Sequence, residues 1–320
     1  MCGICGIVNL KKRPSRKILL SMNKTLIHRG PDEDGLFLDN KFALASRRLS
    51  IIDIAEGKQP IFNQNKTCAI VYNGEVYNFQ SLKNQLLKKG CHFKTNTDTE
   101  TVLHLYENLG PDCVRQLSGM FAFAIADVKK EVLFLAQDHF GIKPIYYYYQ
   151  DGLFLFASEL KAIINHPRLK KSLDFEALNQ YFSTGFGCIP APRTIFKNIK
   201  KLPPAHYLIF KNNRIIIKKY WHLESTKKVN ISFPEAKKKC RFLIEKSVKE
   251  QMMADQKIFG SFLSGGIDSS AIAAITSRLM TKKLKTFSIG FKDPSFDESY
   301  FAKKAAKFIN SEHHHQFLTN

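Results

Sequence analysis

The chain has 320 residues with 44% hydrophobic content, enough for more than one ordinary core, so two domains are expected. No run approaches 18 uninterrupted apolar residues and no basic stretch followed by an apolar run opens the chain, which excludes a membrane-spanning or secreted protein and favours the cytoplasm. The net charge of +21 comes from lysines spread along the whole chain, so it does not indicate a nucleic-acid partner.

The segment from residue 68 to residue 158 alternates short apolar runs with polar turns. The runs are rich in aromatic and β-branched residues, which is typical of strands. Strands are predicted over 68–78, 120–128, 131–138, 145–150 and 152–158. Helical spacing of apolar residues predicts one helix over 100–109 and another over 81–90, which begins at a serine cap and ends at a glycine. These elements predict an α+β layered domain for this half of the chain.

The second half has a different rhythm. Four prolines between about residues 185 and 225 favour an extended connecting region, and a helix is predicted over 233–251. Strands are then predicted at 258–263, 284–291 and 313–318, with helices at 268–280 and 297–309 between them. Strands that alternate with helices in this way predict the first part of a parallel, doubly wound sheet.

The chain begins MCGICGIV, with one cysteine directly after the initiator methionine and a second at position 5. Removal of Met1 would give Cys2 a free α-amine, whose pKa of about 7.7–8.0 lets it accept the thiol proton. A redox pair of Cys2 and Cys5 would need a strand-to-helix site, and a zinc site would need a second ligand pair. The pair alone leaves these interpretations open beside that of an inert thiol. Seven scattered cysteines predict reduced thiols.

Four clusters of polar residues accompany the N-terminal cysteine. They are HRGPD at 28–32, RRLSIID at 47–53, YNGEVYN at 72–78 and TDTE at 97–100. Each has a structural interpretation when taken alone: His28 as a turn histidine, Asn73-Gly74 as a hairpin turn and Asp98 as a helix cap. Together with an N-terminal cysteine, the clusters favour a functional site.

With QDHFGIKP at 137–144, these clusters resemble the glutamine-hydrolysing asparagine synthetases, and the resemblance runs from Met1 to Asn320. Gln137 departs from the arginine usual in that family, at a position outside the glutamine pocket. The resemblance implies a glutaminase domain over 1–210, a class II glutamine amidotransferase with the αββα sandwich of the N-terminal-nucleophile fold. A connector over 211–235 and an incomplete α/β doubly wound adenine-nucleotide-binding domain over 236–320 would follow, C-terminally truncated relative to the family.

The resemblance also implies roles for individual residues. Cys2 would attack the carboxamide of glutamine, form a glutamyl thioester and release ammonia, while Asn73 and the N–H of Gly74 form the oxyanion hole. Arg48 would bind the α-carboxylate, and Glu75 and Asp98 would receive the α-ammonium group. Further glutamine-binding residues implied by the resemblance are Leu49, Ser50, Ile51 and Ile52. Cys5 has no assigned role.

The segment FLSGGIDSS at 262–270 is a strand, a glycine loop and a helix start, an arrangement that presents backbone amides and hydroxyls to a phosphate. It lacks the Walker lysine, and a plain glycine turn before a capped helix is the alternative. The segment is similar to the pyrophosphate loop of ATP pyrophosphatases, which implies that ATP yields AMP and pyrophosphate. Implied ATP-binding residues are Leu263, Ser264, Gly265, Gly266, Asp268, Ser269, Ser270 and Ile289, with Asp268 also holding Mg²⁺.

Three functions fit these observations. The first is asparagine synthesis from glutamine, aspartate and ATP through a β-aspartyl-AMP. The second is amidation of another carboxylate, such as a surface polysaccharide precursor, and the third is a non-catalytic glutamine-binding remnant. Either the sequence is a fragment of a longer protein or it is a natural truncation that needs a partner, and the assemblies considered are a homodimer or a partner chain that supplies the missing C-terminal half. Histidines 313–315 are interpreted as structural, because consecutive strand residues cannot all face one ion.

Overall fold

The computed structural model describes residues 1–185, 187–225, 228–252 and 259–318. The chain forms two compact units, Met1–Glu224 and Ser225–Asn320. Among the described residues, no helix combines the length and the apolar character that crossing a membrane requires.

The first unit contains two six-stranded antiparallel sheets. Its strands are β1 (Gly3–Asn9), β2 (Glu33–Leu38), β3 (Phe42–Arg48), β4 (Ile61–Phe62), β5 (Cys68–Val76), β6 (Gly119–Asp127), β7 (Val132–Gln137), β8 (Tyr146–Gln150), β9 (Leu153–Ala157), β10 (Ile199–Lys201), β11 (His206–Lys211) and β12 (Arg214–Lys219). Its helices are α1 (Arg16–Lys24), α2 (Phe79–Lys88), α3 (Asp98–Leu109), α4 (Leu160–Ile164) and α5 (Phe175–Ser183), with a 3₁₀ helix at Gly110–Gln116. The strand orders are β10-β8-β9-β1-β3-β2 and β12-β11-β7-β6-β5-β4.

The two sheets pack face to face around one apolar core. Ile4 and Leu44 of the first sheet share this core with Val71, Ala124 and Leu135 of the second. Helices α1 and α4 cover the outer face of the first sheet, and α3 packs on β5 of the second. Because the inner strands are covered on both faces, they read as continuous apolar runs without alternation. The predicted αββα sandwich is confirmed.

The first unit extends beyond the predicted boundary at residue 210. Strands β11 and β12 form a hairpin that adds to β7, so the unit includes residues up to Glu224. The proline-rich region that predicted an extended connection also contains β10. The hairpin was not predicted because β12 is a largely exposed edge strand with three lysine and arginine side chains, Arg214, Lys218 and Lys219.

One local expectation in this unit is wrong, and one structural alternative is excluded. Helix α2 begins at Phe79 after Asn78, so Ser81 lies inside the helix instead of capping it. Asn73 and Gly74 lie within β5 and pair with β6, so they do not form a hairpin turn. Thr97 caps α3 through a hydrogen bond from the N–H of Glu100, and this leaves the Asp98 side chain free for other contacts.

The second unit begins with α6 (Phe233–Gln251), which is capped by Ser232 and starts inside the region predicted as connector. It continues with β13 (Gly260–Phe262), α7 (Ile267–Leu279), β14 (Lys285–Phe291), α8 (Ser299–Phe308) and β15 (Glu312–Leu318). The three strands are parallel in the order β13-β14-β15, as predicted for a doubly wound sheet. The first predicted residue of β13, Ile258, lies outside the described residues.

The consecutive histidines of β15 point to alternate faces. His313 contacts the hydroxyls of Thr286 and Ser288, whereas the ring of His314 stacks on Phe287 with 5.1 Å between centroids. No group of three potential metal-ligating side chains occurs in the described part of the chain. These contacts support the structural interpretation of the histidines.

Candidate functional site

A small pocket in the first unit collects most of the predicted glutamine-binding residues. The chain reaches it from Cys2, the end of β3 with the loop after it, the end of β5 and the start of α3. The lining residues are Cys2, Arg48, Leu49, Ile51, Ile52, Gly57, Gln59, Tyr72, Gly74, Glu75, Thr97, Asp98 and Thr99. The space between them, including the part open to solvent, is about 310 Å³. Ser50 and Asn73 are predicted in this set but do not line the pocket: the N–H of Ser50 donates to Asp32, and Asn73 lies in β5 between the lining residues Tyr72 and Gly74.

Cys2 is held directly in front of β1, a strand at the middle of its sheet. The N–H of Leu49 donates to Cys2 Sγ at 3.4 Å, and the thiol faces the Leu49 carbonyl at 3.7 Å. Arg29 Nε donates to the Cys2 carbonyl at 2.9 Å, which fixes the backbone of the nucleophile. Burial raises the pKa of the Cys2 thiol while Met1 is attached, so a nearby base is needed to generate the thiolate.

Cys5 does not take part in this site. It is fully buried within β1, where burial raises the pKa of its thiol, and all seven cysteines are free. Residues 2 and 5 of an extended chain face opposite sides, so the two thiols do not form a redox pair.

Asn73 carries a buried amide donor without a partner. Its side chain is 1% exposed, and Nδ2 meets no hydrogen-bond acceptor among the described residues. Leaving such a donor buried and unpaired costs about 1–3 kcal/mol. Unpaired buried donors are rare and call for a functional explanation, and an oxyanion formed near Cys2 would supply the missing acceptor.

The close approach of β6 leaves room only for a glycine at position 74. A Cβ atom at this position would lie 2.2 Å from the Met120 carbonyl oxygen and 2.6 Å from Phe121 Cα. Any side chain would therefore push β5 away from β6 and displace the neighbouring Asn73 amide.

Two carboxyl groups form the acidic end of the pocket. Asp98 Oδ2 accepts hydrogen bonds from the Tyr72 hydroxyl and the N–H of Val76, both at 2.9 Å. Burial raises the pKa of Asp98, and burial together with the Asp98 charge raises the pKa of Glu75. A cationic group bound between them would relieve this repulsion, which suits an ammonium ligand.

Arg48 is already engaged by the protein. Its Nη1 donates to Glu33 at 2.9 Å, and its Nη2 donates to the carbonyls of Ile52 and Asp53, each at 2.8 Å. The guanidinium therefore shapes the loop after β3. A carboxylate of glutamine would have to exchange with one of these acceptors or use Nε.

Two protein-family models match separate parts of this chain. Residues 1–221 match the family model described as glutamine amidotransferase domain. The chain belongs to this family. Residues 239–320 match a second model, described as asparagine synthase.

Curated relatives extend this glutamine amidotransferase assignment to nearly the whole chain. Asparagine synthetase [glutamine-hydrolyzing] 3 of Bacillus subtilis is 38% identical over 95% of this chain and 50% of the relative. A putative asparagine synthetase [glutamine-hydrolyzing] 2 of Methanocaldococcus jannaschii is 38% identical over 99% of this chain and 65% of its own length. The chain spans about half to two thirds of these relatives.

A solved structure shares the fold. Glutamine phosphoribosylpyrophosphate amidotransferase of B. subtilis, complexed with ADP and GMP, aligns with a TM-score of 0.54 at 15% identity, covering 99% of this chain and 91% of the other. The first unit of this amidotransferase family member thus has the N-terminal-nucleophile fold, and a part of a nucleotide-binding domain follows it.

Sequence reasoning missed five residues of the amidotransferase pocket. They are Gly57, Gln59, Tyr72, Thr97 and Thr99. Tyr72, Thr97 and Thr99 belong to the polar clusters noted in the sequence and were within reach of prediction. Gln59 carried no local signal, because its role depends on a distant contact in which Oε1 accepts the N–H of Tyr72 at 2.7 Å.

The glycine loop of the second unit is organised by its serine side chains. Ser264 Oγ and Ser269 Oγ lie 3.0 Å apart, and the N–H of Gly266 donates to Ser264 Oγ at 3.3 Å. Gly265 has φ +87°, and a Cβ there would lie 2.4 Å from the Phe301 backbone. The loop therefore holds a tight turn against α8 and leads into the N-terminus of α7.

The other predicted ATP-binding residues differ in how exposed their side chains are. Leu263 is 1% exposed and packs in a small core with Ala273 and Leu284, so its side chain is not available to a ligand. Ile289 is exposed on β14, and Asp268 is exposed in the first turn of α7. Ser270 follows in the same turn and is half-buried.

Proposed function

We propose that the first unit hydrolyses glutamine and that the chain acts in asparagine synthesis, with the released ammonia amidating aspartate at the expense of Mg-ATP. The observation that carries the first part is the buried, unpaired amide of Asn73 in the strand that lines the pocket of Cys2. The match to the asparagine synthase model and the named relatives favour aspartate over another carboxylate as the acceptor.

The proposed hydrolysis starts once Met1 is removed. The free α-amine of Cys2 takes the thiol proton, and the thiolate attacks the carboxamide carbon of glutamine. Asn73 Nδ2 and the N–H of Gly74 stabilise the oxyanion, and collapse of the tetrahedral intermediate releases ammonia as the amine returns its proton. Water then hydrolyses the glutamyl thioester by the same route and liberates glutamate.

Substrate recognition is proposed at both ends of glutamine. Glu75 and Asp98 take the α-ammonium group, whose positive charge offsets the repulsion between the two carboxyls. Arg48 and the loop of Leu49, Ile51 and Ile52 surround the α-carboxylate end.

The amidation step is proposed for the complete enzyme, whether its remaining part lies on a longer chain or on a different partner chain. The loop Ser264–Gly265–Gly266 and the hydroxyls of Ser269 and Ser270 would hold the pyrophosphate of ATP at the start of α7. Mg²⁺ entering with ATP would bind Asp268, and phosphate oxygens and water would complete its shell. The free state of all seven cysteines supports a reducing compartment such as the cytoplasm.

The test is an assay of the chain with Met1 removed, supplied first with glutamine and then with aspartate and Mg-ATP as well. Glutamate, ammonia, pyrophosphate and asparagine are measured separately. We expect glutamate and ammonia in equal amounts from the chain itself. Cys2→Ala should abolish this hydrolysis, whereas Cys5→Ala, a substitution of the same type in the same strand region, should leave it intact. Glutamine hydrolysis that survives Cys2→Ala would overturn the assignment, and amidation of a different carboxylate supplied in place of aspartate, with none of aspartate, would favour another acceptor.

A further inference from the structure

The last residue of the TDTE cluster has no part in the reaction described so far. Glu100 lies in the first turn of α3 and is only 2% exposed. Its carboxylate accepts the N–H of Lys94 at 2.9 Å, and the N–H and hydroxyl of Thr95 at 2.6 and 2.7 Å. A buried carboxylate with three short hydrogen bonds to one loop fixes the path of that loop.

The loop held by Glu100 leads into the acidic wall of the pocket. Thr95 Oγ1 lies 2.8 Å from Thr97 Oγ1, which in turn accepts the N–H of Glu100 at 3.1 Å. Thr97 and the next two residues, Asp98 and Thr99, line the pocket. Hydrogen bonds that end on Glu100 therefore fix the backbone that leads into Asp98, while the Asp98 carboxylate itself accepts from Tyr72 and Val76.

The same loop is tied to the opposite wall. The N–H of Asn96 donates to Asp53 Oδ2 at 2.7 Å, and the Asp53 carbonyl accepts Arg48 Nη2 at 2.8 Å. Hydrogen bonds and the backbone of the 94–97 loop thus connect Glu100 to Asp98 on one wall of the pocket and to Arg48 on the other.

The charge of Glu100 is maintained by its neighbours on α3. His104 Nε2 lies 3.7 Å from Glu100 Oε1, while His104 Nδ1 lies 3.0 Å from Glu107 Oε2. Burial by itself raises the pKa of Glu100, but the imidazole of His104 and the hydrogen bonds from Lys94 and Thr95 outweigh burial and lower it to about 2. The carboxylate is therefore ionised throughout the neutral range and remains an acceptor for the loop.

We propose that Glu100 is a positioning residue for glutamine recognition, which holds the 94–97 loop so that Asp98 meets the α-ammonium group of the substrate. This inference rests on the proposed glutaminase function. It assigns Glu100 no contact with the substrate or with Cys2, so it predicts a loss of substrate affinity with the chemical step preserved.

Glu107 supplies a matched control. It lies two turns along α3 from the same loop, pairs with the same histidine and also accepts Asn63 Nδ2 at 2.7 Å, but it makes no contact with residues 94–97. Glu100→Gln and Glu107→Gln each remove one negative charge beside His104. Only the first removes an acceptor from the loop.

The experiment measures glutamine hydrolysis by the wild-type chain and both variants, together with the rate at which iodoacetamide inactivates each. Iodoacetamide alkylates any accessible thiol, so all three chains carry Cys91→Ser, Cys188→Ser and Cys240→Ser, which remove the other accessible cysteines. It carries no α-ammonium group, so the inactivation rate then reports on Cys2 without recognition of the substrate amine. We expect Glu100→Gln to raise KM for glutamine about 10-fold with kcat and the alkylation rate within about 3-fold of wild type, and Glu107→Gln to change KM less than about 2-fold. Equal KM effects of the two variants, or a fall in kcat and alkylation rate without a KM change, would overturn the proposal.

Thr95→Val tests the same proposal if the Glu100→Gln chain does not fold. It removes one hydroxyl from the set and keeps every backbone donor, so KM should rise about 3-fold, and an unchanged KM would also count against Glu100. Failure of the proposed function is a separate result, because it appears as absence of glutamate release from the wild-type chain.

Discussion

Replacement of Asn73 should move activity and stability in opposite directions. Its Nδ2 is buried and has no acceptor among the described residues, so the folded chain bears an unpaired donor that costs about 1–3 kcal/mol. Asn73→Ala removes that donor and leaves a small cavity that costs about 1 kcal/mol. We therefore expect a free energy of unfolding that is unchanged or higher by up to about 2 kcal/mol.

The same substitution removes one donor from the oxyanion hole. Loss of one such donor lowers kcat by about 10² to 10³, equivalent to about 2.7–4 kcal/mol of transition-state stabilisation. Glutamate release measured under saturating glutamine gives kcat, and urea unfolding of the same preparation gives the stability.

Asn63→Ala provides the comparison. Asn63 is also buried, but its Nδ2 donates to Thr67 Oγ1 at 2.9 Å and to Glu107 Oε1 at 2.7 Å, and its Oδ1 accepts the N–H of Cys68 at 2.9 Å. Its replacement should destabilise the chain by about 1–3 kcal/mol and leave kcat unchanged. If Asn73→Ala destabilised the chain as much as Asn63→Ala and retained kcat within a few-fold, the amide of Asn73 would be a structural group and the reasoning would be refuted.

Other substitutions test the remaining parts of the site. A leucine inserted before Cys2 blocks methionine removal and should reduce glutamate release as far as Cys2→Ala does, since the general base is lost. Arg48→Lys breaks the fork that holds carbonyls 52 and 53, so KM for glutamine should rise about 10-fold; an unchanged KM would remove Arg48 from recognition. Lys143→Met removes a buried ammonium near Cys2 and should raise the thiol pKa further, so the acidic limb of the pH profile of kcat/KM should move to higher pH. For His104, burial opposes the charge, but Glu100 and Glu107 raise its pKa to about 9. Because this pKa is raised on folding, its stabilisation is complete below about pH 6.5 and lost as pH rises through 9, so the difference in unfolding free energy between wild type and His104→Gln should shrink between pH 6 and pH 10.

Much of the sandwich could be predicted from sequence because its inner strands are covered on both faces. The run over β6, from Phe121 to Asp127, is buried throughout and stands out as a strand. The edge hairpin of β11 and β12 did not stand out, because its lysines and the prolines before it are typical of a connection. Strand propensity in such a segment is decided by the neighbour it pairs with.

Pocket residues were predictable where they lie on or next to strands and helix starts, as Cys2, Gly74 and Asp98 do. The loop between β3 and β4 was less predictable. Its shape depends on Arg48 reaching back to carbonyls 52 and 53, and on Gln59 accepting from Tyr72. Sequence spacing carries no record of such contacts.

The central place of β1 in its sheet has a consequence for the timing of maturation during synthesis. β1 pairs with β3 on one side and with β9, residues 153–157, on the other. Until the ribosome has delivered β9, one edge of β1 has no partner, and the N-terminus in front of it stays accessible. Removal of Met1 can therefore begin in the interval in which some 150 residues are made, about 8–30 s at 5–20 residues per second, and because Met1 stays exposed in the folded unit, removal can continue after the sheet has closed.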